Sequence, residues 1–144
     1  MVDRKDYAFT HHLRERYLER TRNKYKHLRI CRKDSCERCR NLIMDIKEEL
    51  ADRRKIDLEI ASRINQAIEC RAYLNDSEFM SWYYKKYGTD QRFEFLADKD
   101  ICFVVVHGGN RKVVVTCVYT KNNLTTRQIL RPKFRKKKNA EIYY

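Results

Sequence analysis

Along the first two thirds of the chain, apolar residues recur every three or four positions, the period of an amphipathic helix. Phe9, Leu13 and Tyr17 open the pattern, and Thr10 supplies an oxygen that can cap free helical N–H groups, so a helix is predicted from Thr10 to about Leu28. Cys36, Cys39, Ile43, Ile46 and Leu50 follow a 3-4-3-4 spacing, with Asp34 or Ser35 placed to cap a second helix. Asp57 is placed to cap a third, with Ile60, Ile64, Ala67 and Ile68 facing inward. "DSEFMSWYYKKYG" gives a fourth, capped by Asp76 or Ser77 and ended by Gly88.

After Gly88 the period changes. "RFEFL", "ICFVVV" and "KVVVTCVY" are short β-branched and aromatic runs that predict strands. "HGGN", residues 107–110, joins the last two as a hairpin turn, because Gly108 and Gly109 tolerate positive φ. "RQILR", 127–131, is a further candidate strand before Pro132. The expected fold is α+β, with N-terminal helices packed on a small antiparallel sheet of about four strands.

Charge narrows the function classes. The 144 residues carry 33 Lys+Arg against 20 Asp+Glu, a net charge of +13 and a pI near 9.6. Such an excess suits a polyanion, nucleic acid first, although a charge that only maintains solubility would give the same numbers. No run of 18 apolar residues is present, so no membrane span is expected. "MVDRKDYAF" contains no apolar signal segment, and a cytoplasmic protein is expected. Six cysteines in that setting read as reduced thiols or metal ligands, not a disulfide framework. The length predicts a single domain over 1–131, followed by a basic tail, 132–144.

Four features carry candidate chemistry. His12, Arg16 and Arg20 are four residues apart and share one helical face, where like charges repel unless an anion lies opposite. His12 would sit in the first helical turn, whose positive dipole end favours anions and pushes an imidazole pKa down. A neutral imidazole beside two guanidiniums suits phosphate chemistry, and a solvated basic face would show the same spacing. In "VVVTCVYT", Val114, Thr116, Val118 and Thr120 are expected on one strand face, and Val113, Val115, Cys117 and Tyr119 on the other. A hydroxyl in so apolar a run needs a partner, unless Thr116 is there for its shape alone. Cys31, Cys36 and Cys39, with His27 four residues earlier, have the ligand types of a tetrahedral zinc. Cys36 and Cys39 also fall on the apolar seam ending at Leu50, and that placement is preferred, so no tightly bound zinc is expected. Cys70, Cys102 and Cys117 are expected in the core. Lastly, "RPKFRKKK" is a polybasic arm able to follow a phosphate backbone or simply to solubilise the end of the chain.

Taken together, "FTHHLRERYLER" resembles the opening of small bacterial ribonuclease toxins and their mobile-element relatives, an aromatic-Ser/Thr-x-His followed by arginines four and eight positions later. "RKIDLEIASRINQAI" (54–68) and "VVVTCVYT" (113–120) are similar, in the same order, to that family's Arg-x-Ile helix and last strand. Residues 21–53 are an insertion relative to it, and Cys117 is a small departure within the strand. The resemblance implies the barnase–EndoU–colicin–RelE type of fold and a metal-independent endoribonuclease, toxin-like, needing no cofactor. RNA would be cleaved by its own 2′-hydroxyl to a 2′,3′-cyclic phosphate. Carried over residue by residue, His12 would be the acid or base, Arg16 the phosphate clamp and Arg20 a second cation. Thr116 would bond a phosphate oxygen or orient His12. Tyr119, Lys133, Arg135 and Lys136 would bind substrate by stacking and backbone tracking. An antitoxin-like or other protein partner is expected at the inserted helices. The alternative is a non-catalytic basic protein that binds nucleic acid or serves as an adaptor.

Overall fold

The computed structural model describes residues 7–108 and 110–120. Lys133, Arg135, Lys136, the candidate strand 127–131 and Gly109 of the predicted turn lie outside the described residues. Among those described, five α-helices and a five-stranded sheet form an α+β fold. The chain runs β1 (Tyr7–Phe9), α1 (His11–Thr21), a 3₁₀ turn (Asn23–Tyr25), α2 (Lys26–Ile30), α3 (Glu37–Glu49) and α4 (Arg53–Asn65). It continues through β2 (Ile68–Glu69), a second 3₁₀ turn (Arg71–Asn75), α5 (Ser77–Tyr87), β3 (Arg92–Asp98), β4 (Ile101–Gly108) and β5 (Arg111–Tyr119). The sheet order is β1-β5-β4-β3-β2, with β1 parallel to β5 and every other pair antiparallel.

The sheet has five strands, not four, and helical layers on both faces. β4 explains the second layer: Ile101 to Val106 are all buried, so both faces of the strand need cover. Ile101, Phe103 and Val105 face a core built with Leu13 and Tyr17 of α1, Ile46 of α3, and Ile56, Ile60 and Ile64 of α4. Cys102, Val104 and Val106 face a second core of aromatic rings, among them Tyr73, Phe79, Tyr83, Phe93 and Phe95. There Tyr73 stacks on Phe79 at 4.7 Å between centroids and meets Phe95 edge-on at 5.5 Å, the offset geometries that ring quadrupoles favour. As expected, Cys70, Cys102 and Cys117 are buried.

Local signals set several element ends. Thr10 caps α1, Asp76 caps α5, and Gly88 at φ 116° terminates α5. Elsewhere tertiary pairing moves the boundaries. α1 stops at Thr21 and not near Leu28, because Arg22 turns extended and its guanidinium reaches Glu49 and Glu59, 2.9 and 2.8 Å away. The helix predicted second, α3, is capped by Cys36, whose sulfur accepts the Cys39 N–H, and not by Asp34 or Ser35. The helix predicted third, α4, begins at Arg53 with Asp52 as its cap. Asp57, expected in that role, lies a turn inside and holds the buried Arg14 through two bonds of 2.7 and 3.0 Å. Ile68 is 48% exposed in β2 and does not extend the helix.

Candidate functional site

Thr10 fixes the start of α1 on the sheet. Its backbone N–H donates to the Val114 carbonyl at 3.3 Å, its hydroxyl donates to the Val115 carbonyl at 3.1 Å, and its Oγ1 accepts the Leu13 N–H at 3.0 Å. One side chain therefore joins the helix N-terminus to β5. The partner residues matter, because the ladder is irregular there. Val104 pairs with Thr116 but Val105 pairs with Val114, so Val115 is an extra, bulged residue. The bulge corrects the expected alternation. Val114 shares its face with Cys117 and Tyr119, toward α1, while Thr116 and Val118 face the side covered by α5.

β1 pairs with β5 only from Lys112 to Val114, and beyond the bulge α1 takes its place along the strand. In that corner a cavity of about 170 Å³ is lined by His12, Arg16 and Arg20 of α1, Trp82, Tyr83 and Lys86 of α5, and Thr116 and Val118 of β5. Four residues singled out in the sequence, His12, Arg16, Arg20 and Thr116, thus meet at one site although a hundred positions separate the first from the last.

The electrostatics are cationic. Burial lowers the His12 pKa below 6.5, and the Arg16, Lys86 and Arg20 charges add to that, with Glu15 opposing them. The direction agrees with expectation, and burial is the largest cause. Arg16 donates to Glu19 at 2.8 Å. Nη1 of Arg20 is buried without a hydrogen-bond partner among the described residues. Burial pushes the Cys117 thiol up to about 12, against the pull of the Arg20, Arg63 and Arg16 guanidiniums.

Tyr119 does not line the cavity. Its hydroxyl donates to the Arg20 carbonyl at 2.8 Å and its ring packs against the first core, so it supports the last turn of α1. Three lining residues of α5, Trp82, Tyr83 and Lys86, went unnoticed in the sequence. Lys86 stands over the rings of Trp82 and Tyr87, 5.0 and 5.5 Å from their centroids, which fixes its stem beside the cavity. Trp82 is 45% exposed and lines the cavity. Their signal was present in "SWYYKKYG", where one helix carries exposed aromatics and adjacent lysines.

The α2–α3 segment holds a second group. His27, Cys31, Cys36 and Cys39 bring their ligand atoms within 4.8 Å of one another. The expectation that Cys36 and Cys39 belong to an apolar seam is corrected: both are only half-buried and neither joins a core, while Leu42 packs where Ile43 was expected. Ile43 is 44% exposed. Cys36 precedes the helix as its cap, which turns its sulfur back toward Cys39. No described helix is long and apolar enough to cross a membrane. No family model, curated protein or solved structure matches this chain.

Proposed function

We propose that the chain is an endoribonuclease whose reaction centre is the cavity between α1, α5 and β5. The observation that carries this reading is the convergence in one cavity of an imidazole with lowered pKa, three cationic side chains, the largely buried Thr116 and the part-exposed Trp82. A phosphodiester supplies the anion such a cluster lacks, and Arg20, which lines the cavity, is a guanidinium donor for one of its oxygens. Trp82 offers a base a stacking surface, the role the sequence had given to Tyr119.

In this reading the substrate's 2′-hydroxyl attacks the adjacent phosphorus and loses its proton to neutral His12. The bond from phosphorus to the 5′-oxygen breaks, leaving a 2′,3′-cyclic phosphate. The departing 5′-oxygen takes a proton from the Lys86 ammonium, because arginine does not give up its proton. Arg16 and Arg20 meet the charge that grows on the phosphorane oxygens, and Thr116 donates to one of them. Lys86 then regains a proton from solvent and His12 returns its own. DNA lacks the attacking hydroxyl and is not a substrate.

The test is cleavage of total RNA and tRNA, in buffer without added divalent metal, by the wild type and by His12→Ala purified in parallel. The expected result is cyclic-phosphate ends from the wild type and a loss of about 10²–10⁴-fold in the variant, the usual worth of a general acid or base. Equal cleavage by both proteins would refute the assignment. The Arg16–Glu19 ion pair favours a second reading, since it leaves one cation already partnered. A non-catalytic nucleic-acid-binding protein would bind RNA, cut none, and keep its affinity in His12→Ala. Ile30, Ile43 and Met44, exposed on the inserted helices, support a protein partner there in either case.

A further inference from the structure

α2 and α3 have little apolar burial to hold them together. α2 fully buries no side chain and sets only Leu28 against the first core; in α3 Leu42 packs there in part, and the first fully buried residue is Ile46, in its last turns. The near ends of the two helices meet instead around polar and sulfur atoms. His27 lies on α2, Cys31 follows its last residue, Cys36 caps α3 and Cys39 lies in the first turn of α3. Ser35 adopts a left-handed φ of 56°, which folds the intervening loop back so that Cys31 and Cys36 face each other.

We propose that His27, Cys31, Cys36 and Cys39 bind one zinc ion tetrahedrally, a structural site that clamps α2 to α3. The donor set is three thiolates and one imidazole, a closed four-ligand combination with no position left for substrate. Geometry agrees closely for one pair. His27 Nε2 and Cys36 Sγ are 3.4 Å apart. A tetrahedron with Zn–N near 2.0–2.1 Å and Zn–S near 2.3 Å has an N–S edge of about 3.6 Å. The corresponding S–S edge is about 3.8 Å, so the widest separation must contract by roughly 1 Å from the 4.8 Å found here, within reach of half-exposed side chains on a loop and two helix ends.

The surroundings suit the ion as well. The Cys39 N–H donates to Cys36 Sγ at 3.5 Å, the kind of bond that spreads thiolate charge at a metal centre. Zinc with three thiolates carries a net charge of about −1, and Lys26, Arg29, Arg32, Lys33, Arg38 and Arg40 flank the ligands in sequence. Binding at neutral pH releases the thiol protons to solvent and joins the ion to four protein atoms, with no change of oxidation state. Soft sulfur donors select zinc over magnesium or calcium. This site lies at α2 and α3, shares no residue with the cavity, and stands independently of the ribonuclease reading.

The experiment uses the full chain, purified under reducing conditions, equilibrated with zinc and desalted. Elemental analysis should find one zinc per chain, and the double variant Cys36→Ser/Cys39→Ser should have lost it. Because that variant could misfold, two measurements use the wild type. Cobalt substituted for zinc should show the intense visible bands of a tetrahedral ion together with thiolate-to-metal charge transfer. Thiol titration of the native protein should expose three fast-reacting cysteines only after chelation, while buried Cys70, Cys102 and Cys117 stay slow. Absence of zinc after equilibration, full retention by the double variant, weak octahedral cobalt bands, or three fast thiols with and without chelation would each overturn the proposal.

Discussion

Replacing Glu49 with Gln isolates the charge that ties the end of α3 to Arg22, Lys24 and Tyr25. Glu49 ends α3, where it accepts from Arg22 at 2.9 Å, Lys24 at 3.0 Å and the buried Tyr25 hydroxyl at 2.6 Å. Burial raises its pKa, but these three partners outweigh burial and hold the carboxyl at about 2, below the ordinary 4.5. At about 1.4 kcal/mol per pH unit, that displacement sets a ceiling of about 3 kcal/mol on its contribution to stability at pH 7. The side chain is 23% exposed, and solvent screening of Lys24 and Arg22 reduces the expected loss to about 1–2 kcal/mol. Gln keeps an oxygen for the Tyr25 hydroxyl, so the loss is not that of an orphaned phenol. The sign follows from the lowered pKa. Glu49's contribution is complete above pH 4.5 and is lost as the pH falls toward 2. At pH 3 about two fifths of it remains, by the same relation. Urea unfolding of both proteins at pH 7 and pH 3 gives the two gaps, and groups common to both cancel. A gap that is the same at both pH values, or below about 0.5 kcal/mol at pH 7, would refute this account of the network.

Other consequences follow from the cavity. His12 has a folded pKa below 6.5, so the unfolded chain takes up that proton first; stability should fall as the pH drops through 6.5 toward the lowered value and change little above it. His12→Gln should flatten that part of a thermal-melt profile, and under the proposed ribonuclease function the acid limb of RNA cleavage should lie below pH 6.5. Thr10→Val removes both a helix cap and the bond to the bulged Val115, and should cost about 1–2 kcal/mol in chemical denaturation. Thr10→Ser should restore most of that loss, whereas equal destabilisation by Val and Ser would mean that the hydroxyl is not what matters.

Some features needed only the local chain. Capping at Thr10 and Asp76, termination at Gly88 and the three longest strands depend on a residue and its near neighbours, so they were legible in the sequence. The helical spacing of His12, Arg16 and Arg20 placed three cavity side chains on one face before any fold was known. Tertiary structure decided what those residues meet. β1, three residues long, exists only because β5 offers it an edge, and β2 only because β3 does. The β3–β4 turn passes through Lys99 at φ 56°, a conformation that no glycine announces. The bulge at Val115 depends on the pairing partner and re-aims every side chain before it, which period-2 reasoning along one strand has no means of detecting. Lys86 and Trp82 join the cavity because the second face of β4 had to be covered, and that need belongs to the sheet and not to either helix alone. The cysteines make the same point in reverse. Their spacing allowed a seam, and packing removed it by leaving Cys36 and Cys39 half-buried at the near end of α3 while the helix meets the core farther along.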